Sequence, residues 1–60
     1  MNDFPKLCAK WMANEWRAAE KSTPELEARW PAAELGMLLS ALYHGLINRA
    51  VARKLFLARV

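Results

Sequence analysis

Apolar and polar positions along this 60-residue chain recur with the helical period, and no segment alternates in the manner of a strand. Phe4, Leu7, Cys8, Trp11, Met12, Ala18 and Ala19 share one broad face, with Trp16 at its margin. Lys6, Lys10, Arg17, Glu20 and Lys21 lie on the other side. This pattern predicts a first helix from about Phe4 to Lys21, with Asp3 as N-cap and Pro5 tolerated in the first turn. Glu15 projects into the apolar face. Two placements suit it: half exposed beside a tryptophan, or buried and paired with an arginine of the C-terminal segment.

Ser22-Thr23-Pro24-Glu25 reads as a stop and a restart. Ser22 with Glu25 fits a capping box, and Thr23 as cap with Pro24 at the first helical position fits equally well. A short second helix is expected from Pro24 to Arg29. Trp30 precedes Pro31, and a residue before proline is pushed out of the α region, so the chain turns there. Pro31 then opens a third helix, with Glu34 favourably placed in its first turn.

From Leu35 to Leu57, fifteen of twenty-three residues are apolar, yet the polar ones form two groups. Gly36, Ser40, His44 and Asn48 make a narrow stripe at i, i+4, while Arg49 and Arg53 lie on a nearly opposite side. A single solvent-facing side keeps its direction along a helix, whereas this one changes direction near residues 45–48. One reading is a continuous helix whose halves contact different things, leaving an apolar flank for a partner. The other is a break, with Gly45 ending one helix and Asn48 capping the next. That last helix, about Arg49 to Arg59, would bury Val51, Ala52, Leu55 and Phe56. Leu38, Leu42 and Leu46 lie along one flank of the long segment and are expected to meet Leu7, Trp11 and Leu26. The fold class is therefore all-α: one small domain over residues 1–60, of three helices with a long C-terminal one, or of four.

The broken version resembles a helix-turn-helix DNA-binding unit over residues 37–56. Ala41, Gly45, Leu46 and Val51 stand where such units carry a small residue, the turn glycine and two apolar residues. His44, Ile47 and Lys54 depart from the pattern. The resemblance implies that Asn48, Arg49 and Arg53 would face the major groove.

Charge sharpens the question of partners. Residues 1–30 sum to zero, and the net +3 arises from Arg49, Arg53, Lys54 and Arg59 against Glu34 alone. Such a basic end either complements a helix dipole or meets an acidic partner, nucleic acid or anionic lipid. Cys8 is the only cysteine and His44 the only histidine, so neither a disulfide framework nor a four-ligand zinc site is expected. A single cysteine without a signal peptide points to a cytoplasmic setting. The apolar run from Trp30 to Ile47 holds Glu34 and His44 and makes a poor membrane span.

No phosphate-binding loop or catalytic constellation stands out, and His44 lies ten residues from Glu34, roughly 15 Å along a helix. No catalytic residue, cofactor or metal is expected, and the chain is read as not an enzyme. Three tryptophans in 60 residues are either core filler or binding hot spots. The expected function is that of a small regulatory or inhibitory protein, of the kind compact phage and plasmid genomes favour, that binds a protein partner or a second copy of itself. Its contacts are expected at Trp16, Leu39, Tyr43, Arg49, Arg53 and Lys54. DNA contact through Asn48, Arg49 and Arg53 is the alternative.

Overall fold

In a computed structural model describing residues 3–60, the first helix is continuous but not uniform. It runs as α1 (Phe4–Trp11), a π segment (Met12–Trp16) and α2 (Arg17–Ser22). Helical dihedrals at Trp11, Met12, Trp16 and Arg17 carry the rod through both junctions. Its start differs from expectation: Asp3 makes no side-chain cap, and only its backbone carbonyl accepts from Leu7 N–H, at 3.1 Å.

The π segment changes which residues are buried. Positions five apart in a regular α-helix point about 140° away from one another. A turn closed by i→i+5 bonds takes more residues, so later positions slip back around the axis. Trp11 and Trp16 can therefore both approach Phe56, with ring centroids 5.6 and 6.2 Å away. The same slip takes Ala18, expected on the apolar face, out to solvent; Met12, at the start of the segment, is exposed as well. Ala19 stays buried.

Neither predicted cap forms after this helix. Ser22 Oγ donates back to Ala19 O at 3.2 Å, and the chain turns through Pro24-Glu25. The next helix, α3 (Leu26–Arg29), is a single turn that begins two residues later than expected. Glu25 occupies its N-cap position without a side-chain cap bond; its Oε1 accepts from Arg29 Nη2 instead, at 3.5 Å. Trp30 leaves the α region before Pro31, with φ −127° and ψ 79°, as its neighbour's ring requires. α4 (Ala32–Tyr43) follows with Pro31 as N-cap and Glu34 in its first turn.

The long apolar segment is two helices. α4 ends on His44, and α5 (Arg49–Leu57) begins after Asn48. Gly45 takes φ +75°, the left-handed conformation that glycine adopts without strain. Leu46 N–H reaches back to Ala41 O at 2.9 Å and Gly45 N–H to Leu42 O at 3.2 Å, the paired bonds of a Schellman ending. Asn48 then accepts from Val51 N–H through Oδ1 at 2.8 Å, a side-chain N-cap. The four-helix alternative holds, and the continuous C-terminal helix does not.

The core is Trp11, Ala19, Leu26, Trp30, Leu35, Leu38, Leu39, Ala52 and Phe56, around which Phe4, Cys8, Trp16, Leu42, Ile47 and Val60 pack. Phe56 is fully buried and ringed by all three tryptophans, Trp30 stacking on it at 5.8 Å. Trp30 Nε1 also donates to Phe56 O at 2.9 Å, which ties the last turn of α5 to the α3–α4 junction. The tryptophans thus serve mainly as core. Three expected core residues sit elsewhere: Leu46, Val51 and Leu55 are exposed. The break at Gly45 gives α5 its own roll, and only Ala52 and Phe56 of that helix turn fully inward. The radius of gyration is 11.0 Å, near the ~10 Å of a compact chain this long.

Candidate partner-binding surface

α4 and α5 form an antiparallel hairpin, because Glu34 in the first turn of α4 pairs with Arg59 just beyond α5. Three contacts fix how each helix is rolled. Glu34 marks the flank of α4 that meets α5. Tyr43 marks the opposite flank, where its ring meets Phe4 at 5.4 Å. Arg53 marks the flank of α5 toward the first helix, its Nε 3.1 Å from Glu15 Oε2. Glu15 is half-buried and does take the arginine partner, because α5 passes beside the π segment.

With these flanks set, helical geometry leaves one outer face, turned away from the first helix. α4 brings Met37, Ala33 and His44 to it, and α5 brings Val51, Leu55 and Ala58. Leu46 closes one end from the turn. Met37 is 73% exposed and Leu46 78%, and Val51 and Leu55 each keep over a third of their surface in water. The full charge on this face is Lys54, which has no ion-pair partner among the described residues. A face so apolar and so little charged is poorly suited to bare water.

The residues expected to bind partners are dispersed. Leu39 is 2% exposed and belongs to the core, because the α4 side facing the first helix is covered and not free. Trp16 is half-buried against Phe56. Tyr43 keeps an exposed edge between Phe4 and His44. Arg53 is engaged by Glu15. Arg49 and Lys54 are exposed, but five positions along one helix set them about 140° apart. Arg59 lies over the Trp30 ring at 4.3 Å while pairing with Glu34. The basic end seen in the sequence is therefore no single patch.

The same dispersal bears on DNA. Asn48 spends its Oδ1 on the α5 cap, and Arg53 is paired, so two of the three expected base-reading residues have partners within the chain. Leu46 and Val51, which a helix-turn-helix unit packs between its helices, are exposed. His44 has neither acid at hand, since Glu34 and Glu15 are taken by arginines. The described residues hold no group of three His, Cys, Asp or Glu suited to a metal ion, and no described helix is long and apolar enough to cross a membrane.

Sequence reasoning placed Leu46, Val51 and Leu55 in the core and gave Met37 no role. Apolar character marked those three for burial, but the structure leaves them outside the core. Searches against family models, characterised proteins and solved structures found no match to this chain.

Proposed function

We propose that this chain is a small non-enzymatic regulatory protein that acts by binding another protein through the outer face of the α4–α5 hairpin. One observation carries the reading: Met37, Leu46, Val51 and Leu55 are all exposed, and helical geometry puts them on one side of the hairpin, with Lys54 as the neighbouring charge. Isolated exposed apolar side chains are ordinary, but a contiguous set marks an interaction surface. The occupant is an apolar helix of a partner protein. Ala33 and Ala41 keep the α4 side low, so such a helix can lie along the hairpin and bury Met37 and Leu55 on either flank.

The test is a pair of substitutions on solvent-facing positions, Met37→Asp and Leu55→Asp, which leave the core intact. Wild-type protein purified from its native host should sediment above 6.9 kDa with its partner bound. The double variant should keep its helical circular dichroism and sediment alone. A double variant that retains the same partner overturns the proposal, as does wild-type protein that sediments as a bare monomer from the same extract.

A further inference from the structure

A second surface lies between the first helix and the α3 turn. The π segment and α2 form one wall of a groove, the α3 turn forms the other, and the start of α4 closes it. Its volume is about 320 Å3, at the lower end of the roughly 300–1,000 Å3 that ligand pockets occupy. Met12, Trp16 and Leu35 supply apolar lining, and Glu20 and Glu27 stand on the two walls. Neither glutamate has an ion-pair partner among the described residues, and no lysine or arginine lines the groove. In a chain of net charge +3, this is a distinctly acidic place.

The π segment creates the apolar side of this groove. Met12 at its start is exposed, and Trp16 at its end stays close enough to pack on Phe56. The result is a thioether and an indole edge beside two carboxylates. Apolar lining between two acids matches an apolar side chain flanked by cations. A free small cation would leave the lining uncovered, and an acidic or neutral segment would leave the carboxylates facing nothing or facing like charge.

We propose that this groove is a docking site for a short basic-apolar segment of a partner protein. A leucine-sized side chain seats between Met12, Trp16 and Leu35, and lysines or arginines on either side of it meet Glu20 and Glu27. The site is separate from the outer hairpin face, so the protein can hold two partner surfaces at once.

The probe is a fluorescein-labelled synthetic peptide with two central leucines flanked by lysines. Its control carries glutamates in place of the lysines. Fluorescence anisotropy should show binding of the lysine peptide that weakens as salt rises, and little binding of the glutamate peptide. In two-dimensional NMR the Trp16 indole N–H should shift on titration, with Met37 and Leu55 unmoved. Glu20→Lys with Glu27→Lys should weaken binding about tenfold or more, with circular dichroism unchanged. Met37→Asp with Leu55→Asp should leave it intact. Equal binding of both peptides, an unaffected Glu20→Lys, Glu27→Lys variant, or shifts that map to Met37 and Leu55 would overturn the proposal. So would an oligomer of the chain that the Glu20→Lys, Glu27→Lys change dissociates, because a second copy would then be the occupant.

Discussion

Phe56 shows how much one side chain can organise in a chain this short. It touches the ring of every tryptophan, and its carbonyl accepts from Trp30 Nε1. Trp11 is equally deep in the core, but its Nε1 has no acceptor among the described residues. The two indoles therefore make opposite contributions through their nitrogens: a buried hydrogen bond stabilises, and a buried donor without one costs about 1–3 kcal/mol. Trp30→Phe and Trp11→Phe remove the same atoms but not the same bond. Urea unfolding should show Trp30→Phe as the more damaging by about 1–2 kcal/mol, and equal losses would show that Trp11 Nε1 is satisfied in solution. The two glycines make a similar contrast. Gly45 has φ +75° and open space where a Cβ would go, so Gly45→Ala meets only backbone strain, about 1–2 kcal/mol. Gly36 lies inside α4 with the same open space, so Gly36→Ala should stabilise by about 0.5–1 kcal/mol. Thermal melts that moved both variants in one direction would contradict this backbone assignment.

At the scale of elements, the π segment is the feature with most consequence. It holds Glu15 against Arg53, brings Trp16 to Phe56 and leaves Ala18 in solvent. A π turn amounts to roughly one extra residue in an α-helix. Deleting Ala13, which is exposed, should let the helix relax to regular α geometry with Trp11 and Trp16 four apart and still on one face. Deleting Ala9, which is also exposed, would instead turn Phe4 and Cys8 about 100° away from the core they pack against. Circular dichroism melts should find the Ala13 deletion near the wild type and the Ala9 deletion clearly lower. The reverse order would mean that the π geometry is not what aligns the two tryptophans. The α4–α5 corner is built differently, from backbone bonds at Gly45 and a side-chain cap at Asn48, and these local bonds alone account for its position.

At the scale of the molecule, the core draws on every helix, yet an apolar hairpin face and an acid-edged groove remain. Cations are scattered: Arg53 and Arg59 are paired, and Arg49 and Lys54 point in different directions. Strong nucleic-acid binding needs several cations aligned on phosphates, because counterion release supplies most of the affinity. Duplex DNA at near-physiological salt should therefore bind no better than the non-specific range of about 10⁻⁴–10⁻⁶ M. Electrophoretic mobility shifts check this, and a sub-micromolar, steeply salt-dependent complex lost in Arg49→Ala would restore the helix-turn-helix reading.

Local chemistry was legible in the sequence. Helical periodicity, the turns at Pro24 and Pro31, the glycine ending at Gly45 and the asparagine cap at Asn48 depend on residues within a turn or two of each other, so the order and approximate limits of the helices follow from the chain alone. The arginine partner of Glu15 was open to the same reasoning, because a lone acid on an apolar face needs a cation and the excess cations lie at the far end. Tertiary packing decided the rest. The break of residues 35–57 at Gly45 and Asn48 is local, but the roll that α5 takes after it is not. That roll depends on which side of α5 fits Trp11, Trp16 and Trp30 around Phe56, a condition set by residues up to 45 positions away. It left Val51 and Leu55 exposed, while Leu39 is buried on the α4 side that faces the first helix. The π segment was equally hidden, since no local signal distinguishes Met12–Trp16 from ordinary helix. A helix face is apolar by sequence, but whether it is core or surface depends on what the other helices have already covered.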